Sequence, residues 1–205
     1  MYSNFPQIVL GFHGCDKEVA ENVIKNQYSL LKSNNNYDWL GHGVYFWENN
    51  YKRALEFANE MMNLNREGIK KIKNPSVIGA VISLGNCLNL LDSEYLEFVQ
   101  LSYDLYSEAQ SIAGYPLPVN KPIKSGKDLL LRHLDCAVIE FLHTYNEVME
   151  NDPFDSVRGV FFEGDELFPG AGFKEKNHIQ VCVRNPNCIK GFFHPRDLDD
   201  SFARV

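Results

Sequence analysis

Three short stretches carry the residues that could do chemistry. In Trp39-Leu40-Gly41-His42-Gly43-Val44-Tyr45-Phe46-Trp47-Glu48 two glycines bracket a histidine and lead into an aromatic strand. The backbone there can approach a ligand closely while Tyr45 sets a flat ring beside it, which is the outline of a pocket wall. Upstream, His13-Gly14 follows the apolar run Ile8-Val9-Leu10. Downstream, residues 178–184 alternate: His178, Gln180 and Cys182 share one face, and Ile179, Val181 and Val183 the other. The apolar face belongs to the core, which leaves the polar face to line a cleft.

The elements that must position these residues follow from periodicity. Gln7 to Phe12 reads as a buried strand ending at His13-Gly14, and Asp16 as the N-cap of a helix carrying Val19, Ala20, Val23 and Ile24 that fades near Tyr28. Asn49 or Asn50 caps a second helix with Tyr51, Ala54, Leu55, Ala58, Met61 and Met62 on one face. Val77 to Leu84 has the β-branched content of a central strand. Asp92 or Ser93 caps a third helix that Gly114 to Pro118 stops. Ser125-x-x-Asp128, close to a capping box, begins a fourth with Leu130, Leu134, Ala137, Val138, Phe141, Leu142 and Tyr145 on one side. These two helices, about 93–150, read as a helical insertion against the sheet. Strands at Gly159 to Glu163, His178 to Arg184 and Ile189 to Phe193 close the chain, with a glycine-rich loop from Gly164 to Asn177.

The 205 residues make one domain, 1–205, and the formal charge of −7 offers no general attraction to a phosphate backbone. The nearest basic patch is Arg66, Lys70, Lys71 and Lys73, which reads more simply as a solvated loop. No apolar run reaches the roughly 20 residues of a membrane span and no leader is evident, so the expected place is the cytoplasm, without membrane contact. Cys15, Cys87, Cys136, Cys182 and Cys188 are odd in number and lack a Cys-x-x-Cys pair, so they read as reduced thiols. His133 and His143 have no partners at metal-ligand spacing. Gly41-x-Gly43 lacks the third glycine of a dinucleotide fingerprint and precedes a strand instead of following one. Gly126-Lys127 fails the phosphate-loop spacing, and there is no Gly-x-Ser-x-Gly or His-Glu-x-x-His.

Phe12-His13-Gly14, then Gly41-His42-Gly43-Val44-Tyr45-Phe46 leading into a helix with Ala54, then Asn177-His178-Ile179-Gln180-Val181, in that order, resemble the ADP-ribosyltransferase superfamily of the diphtheria-toxin and poly(ADP-ribose)-polymerase type. The resemblance implies an α+β fold with a split, mainly antiparallel sheet core, flanking helices, and NAD as co-substrate in the cleft, with no metal. It implies that His13 bonds a ribose hydroxyl of the adenosine half, that the Gly14 backbone holds the nicotinamide amide, and that Tyr45 stacks on the nicotinamide ring. The family's third residue, normally glutamate, departs here: a shift along the strand puts Gln180 there, an ungapped comparison His178. Gln180 is preferred because it can bond a ribose hydroxyl, although an amide cannot ionise and so cannot be a general base. Glu163, Asp165, Glu166 or His178 would then deprotonate a hydroxyl acceptor.

The function implied is transfer of ADP-ribose from NAD to a macromolecule, protein or nucleic acid, with release of nicotinamide. A compact chain of this kind resembles a bacterial toxin or phage-defence effector, for which a neutralising antitoxin-type protein is expected. The alternatives are an NAD glycohydrolase and a non-catalytic module that binds NAD or ADP-ribose. An RNA 2'-phosphotransferase fits less well, because dense basic residues are missing. The acceptor choice falls to the Gly164 to Asn177 loop.

Overall fold

Asp16 is where strand becomes helix. In the computed structural model, which describes residues 7–63, 72–123 and 128–203, strand β1 (Ile8–Asp16) does not stop at His13-Gly14 as the apolar run implies. It continues because β3 (Pro75–Ser83) pairs with it antiparallel along its whole length, from Ile8↔Ser83 to Asp16↔Pro75. Helix α1 (Lys17–Ile24) starts at the next residue, and the Asp16 carboxylate accepts from the Glu18 N–H at 3.1 Å, the N-cap expected of it. The same carboxylate accepts from the N–H groups of Lys73 and Asn74 at 2.7 and 3.1 Å. These backbone bonds, Asn74 first, hold its pKa below the usual value. Helix α1 ends at Ile24, short of Tyr28, and Asn26 turns left-handed at φ 56°.

Strand β2 (Val44–Glu48) leads into α2 (Tyr51–Asn63), and Asn50 Oδ1 accepts from the Arg53 N–H at 2.9 Å. Beyond β3 come the short β4 (Cys87–Asn89), α3 (Ser93–Ala113) and α4 (His133–Val148). Strands β5 (Ser156–Phe161), β6 (His178–Val183) and β7 (Ile189–Phe193) follow. Asp92 caps α3 at 3.0 Å and Gly114 closes it at φ 73°. The fourth helix starts later than expected. Leu130 precedes it, Ser125 lies outside the described residues, and Asp128 instead accepts from the Gly164 N–H at 2.8 Å. Its first turn is capped from a distance by Asn120 Oδ1, which accepts from the Leu134 N–H at 2.8 Å. Of the basic patch, Arg66, Lys70 and Lys71 also lie outside the described residues.

The fold is α+β: seven strands in one mixed sheet, ordered β4-β5-β6-β2-β1-β3-β7, with four α-helices among the described residues. All pairings are antiparallel except β4 with β5. On one face Phe46, Ile78, Ile82, Val181 and Val183 pack against Ala20 and Val23 of α1. On the other, Val157 and Cys182 meet Leu40 and, from α4, Ile139 and Leu142, while Trp47 and Val77 meet Ala54 of α2. Each large side chain so buried contributes about 1.5–3 kcal/mol. Helices α3 and α4 pack on each other through Tyr106 and Phe141, whose rings lie 5.4 Å apart, and Ser102 Oγ donates to the Val138 carbonyl at 3.2 Å. All five cysteines are free and buried. Among the described residues no helix is long and apolar enough to cross a membrane.

The sheet is narrowest in its middle. Strands β1 and β2 share only Gly11↔Glu48 and Phe12↔Trp47 before they part. Beside that join Glu48 and Arg158 form a buried two-bond ion pair, at 2.6 and 2.8 Å, reaching across β6 to β5.

The Asp16 carboxylate gives a first test. Asp16→Ala removes a cap and two loop bonds and is expected to cost about 1–2 kcal/mol in chemical denaturation at neutral pH. Because the folded pKa is depressed, the wild-type advantage is present above the unfolded value of about 3.9 and is lost as pH falls through the folded pKa. A difference between the two proteins that persists unchanged at pH 2 contradicts this role.

Candidate functional site

His13 sits where β1 and β2 part. Its Nδ1 lies 2.8 Å from the Tyr45 carbonyl, and a carbonyl can only accept, so Nδ1 carries the proton and Nε2 the lone pair. Burial lowers its pKa, which keeps the ring neutral. The ring stands edge-on to Phe46 at 5.8 Å. Gly14 is packed under α2: a side chain there would run into the Ala54 carbonyl and come 3.3 Å from the Ala58 methyl.

Tyr45 is half-buried and locked at its tip. Its hydroxyl donates to the Gly41 carbonyl at 2.7 Å and accepts from the Leu40 N–H at 3.0 Å. Burial pushes the phenol well above its ordinary pKa, so it stays protonated. The turn it holds is also held from α4. Glu140 accepts from the His42 N–H at 2.7 Å and from Arg184 at 2.6 Å, and its other oxygen faces His42 Nδ1 at 3.3 Å. Gly41 adopts φ 77° against that carboxylate, a conformation and a closeness that glycine alone tolerates. His42 thus serves the turn. Its Nε2 is 4.0 Å from the Cys136 thiol in a small pocket of about 240 Å³. Burial and the nearby Asp38 and Glu140 push that thiol up to about 11, so it offers no thiolate.

Gln180 lies opposite Trp47 on β2 and Gly159 on β5. Its Oε1 accepts from the Trp39 indole at 2.8 Å, which leaves its amide N–H groups and the second lone pair of the oxygen for a ligand. Trp39 lies over Gly159, where an added Cβ would come 2.9 Å from the indole. The polar face of β6 is therefore roofed, not open as the alternation implied: Cys182 is fully buried with Leu40, and His178 is buried between Trp47 and Phe161. On the far side of Trp39 a cleft of about 490 Å³ runs to α3 and α4, walled by Leu96, Val99, Tyr103, Arg132 and Val138.

The register decides which candidates meet. Phe12 pairs with Trp47, so Gly14, Tyr45, Trp47, Gln180 and His178 belong to one face of the sheet. The His13 ring belongs with Phe46 and joins them only through the gap. Of the acidic candidates, Glu163 reaches this face, paired with Arg53 at 3.1 Å. Glu166 turns back to the Gly170 N–H within its own loop, and the Asp165 carbonyl accepts from the Glu175 N–H. Trp39, Trp47 and Arg53 were not singled out from the sequence. The spacing Arg53, Phe57, Glu60 on α2 is the signal that was there, since it puts a cation and a ring on one helical stripe. Among the described residues no group of three or more His, Cys, Asp or Glu is placed to hold a metal ion.

No family model matches this chain, and no solved structure matches it. It is similar to an uncharacterized protein of Methanocaldococcus jannaschii, 27% identical over 198 residues that cover 87% of this chain and 83% of that protein.

The hydroxyl of Tyr45 is open to a direct measurement. Tyr45→Phe leaves a buried carbonyl and N–H without their partner and is expected to lower stability by about 1–3 kcal/mol. Equal denaturation midpoints for the two proteins would show that the hydroxyl does not hold the turn.

Proposed function

We propose that this chain binds NAD where β1 and β2 part and transfers ADP-ribose from it to a macromolecule, releasing nicotinamide. The observation that carries the reading is the 2.8 Å bond from His13 Nδ1 to the Tyr45 carbonyl. It ties the first two residues of the resembling signature together across the one gap in the sheet, with Nε2 free to accept from a ribose hydroxyl. In this reading the narrow β1–β2 join is the split of an ADP-ribosyltransferase-like core, and the α3–α4 pair is its helical insertion.

The residues suit a reaction that needs positioning more than proton transfer. Breaking the glycosidic bond builds oxocarbenium-like charge on the ribose while nicotinamide loses its own, so geometry and fixed dipoles lower the barrier. The Tyr45 ring, pinned by its hydroxyl, is a pre-set surface for the nicotinamide. Gln180, with its oxygen engaged by Trp39, presents an amide N–H to a ribose oxygen. The resemblance assigns the nicotinamide amide to the backbone of Gly14, which pairs with Val77 of β3 and lies under α2. By the same resemblance the chain acts in the cytoplasm as a toxin or phage-defence effector, opposed by a neutralising protein.

Labelled NAD added to cell lysate, with nicotinamide release measured and the product challenged by protease and nuclease, tests the activity and the target class together. Tyr45→Phe keeps the ring and is expected to keep release within about tenfold, whereas Tyr45→Leu, confirmed folded, loses it. His13→Asn can still donate to the Tyr45 carbonyl but has no Nε2, and is expected to weaken NAD binding about tenfold or more in calorimetry. Full release by Tyr45→Leu, or unchanged affinity in His13→Asn, removes the corresponding assignment.

A further inference from the structure

The cleft beyond Trp39 plays no part in the transfer proposed above. Its volume of about 490 Å³ lies within the range of pockets that hold small molecules, roughly 300–1,000 Å³. Helix α3 walls it with Leu96 and Val99, α4 with Val138, and the Trp39 indole forms the side toward Gln180. The cleft opens to solvent beside Leu96, which is 50% exposed. A small molecule can therefore enter without any part of the core opening.

Among its described lining residues the cleft has one cation, Arg132, and one anion, Asp135. Both Asp135 oxygens already accept, Oδ1 from Asn120 at 2.7 Å and Oδ2 from Arg132 Nη1 at 3.0 Å. The guanidinium carries five N–H groups, and among the described residues the bond to Asp135 is its only one. Its Nε has no partner. The side chain is 26% exposed, so the remaining donors are within reach of a ligand in the cleft. The guanidinium lies 5.0 Å from the Phe161 ring centroid, and Phe161 in turn lies 4.8 Å from the Trp39 ring. A group bound at Arg132 and a ring against Trp39 thus fit one molecule of modest length.

These features select the ligand. Leu96, Val99 and Val138 offer no side-chain hydrogen bonds, so the body of the ligand is apolar. The indole favours a flat body, since paired rings gain more than the area they bury. At the polar end a carboxylate matches the planar guanidinium in a two-bond fork. Asp135 alongside disfavours a doubly charged phosphate, and an amine would meet Arg132 as a like charge.

We propose that the cleft between α3, α4 and Trp39 binds a small aromatic carboxylic acid, its ring against Trp39 and its carboxylate on Arg132. Because the Trp39 indole N–H donates to Gln180 Oε1, the occupant is felt at Gln180. The site is separate from the parting of β1 and β2, and its test needs no transferase activity.

The probe is naphthalene-2-carboxylate, with 2-naphthalenemethanol as its uncharged counterpart, in calorimetry and in heteronuclear NMR of the full chain. The expected Kd of the acid is about 0.1–1 mM, as its size allows, with the alcohol at least about fivefold weaker. Arg132→Gln is expected to bring the acid down to the level of the alcohol. The Trp39 indole N–H resonance, assigned by its loss in Trp39→Phe, moves as the acid is added, and the Gln180 side-chain amide moves with it. Leu96→Trp changes a half-exposed position, narrows the cleft and is expected to weaken binding about tenfold. No binding at about 5 mM acid, equal affinity for acid and alcohol, unshifted Trp39 or Gln180 resonances, or wild-type affinity in Leu96→Trp overturns the proposal. If Arg132→Gln melts as an unfolded chain, the acid–alcohol comparison and Leu96→Trp decide. Displacement of the acid by NAD merges the cleft with the nucleotide site and overturns it as a separate one. A chain that fails to bind NAD defeats the NAD reading and leaves this test intact.

Discussion

The structure depends on how briefly β1 and β2 touch. Two residue pairs join the β4-β5-β6-β2 half of the sheet to the β1-β3-β7 half, whereas β1 and β3 pair along their full length. The contact exists because residue 11 is glycine, where an added Cβ would approach Phe46 Cβ to 2.8 Å. It ends because His13 puts its ring, and a hydrogen bond to the Tyr45 carbonyl, where the next pair would form. A side chain has replaced a backbone ladder. The Glu48–Arg158 pair strengthens the sheet just where backbone pairing is scarce, and breaking a pair so buried costs about 3–5 kcal/mol.

The helical layer is part of this arrangement. Glu140 on α4 accepts from the His42 backbone and from Arg184, and so fixes the Gly41-His42-Gly43 turn. That turn supplies both groups that pin the Tyr45 hydroxyl. A change in α4 therefore reaches Tyr45 through two hydrogen-bonded steps, although the two are far apart in sequence. The histidine between the glycines, the most conspicuous residue of the motif, contributes mainly its backbone.

What could be read in the sequence is what is decided locally. Asp16, Asp92 and Asn50 cap the helices they precede, because a cap needs only its own next turn. The alternation of β6 was legible for the same reason. The start of α4 was not, because Asn120 caps it from outside the local sequence. The exposure of the β6 polar face was not legible either. Alternation assigns faces but cannot say that Trp39 lies over one of them, a consequence of Gly159 on a strand 120 residues later. Arg53 escaped notice since a helix surface full of charges gives no sign that one of them is turned inward; its side chain is 6% exposed.

The two faces also constrain how any ligand can use these residues together. Tyr45 and Gln180 project from one side of the sheet, and the His13 ring belongs with Phe46 on the other. In a continuous sheet a molecule lying on one face could not reach all three, because the backbone ladder would stand between. Here the ladder is interrupted at His13, beside Gly14, which α2 covers with its Ala54 carbonyl. A ligand that touches both His13 Nε2 and the Tyr45 ring must enter along that interruption, with its length across the sheet edge-to-edge gap instead of flat on either face. A long, two-ended molecule with a ring at one end and hydroxyls toward the other satisfies that demand, and this is the steric argument by which the proposed NAD site fits the parting of the strands.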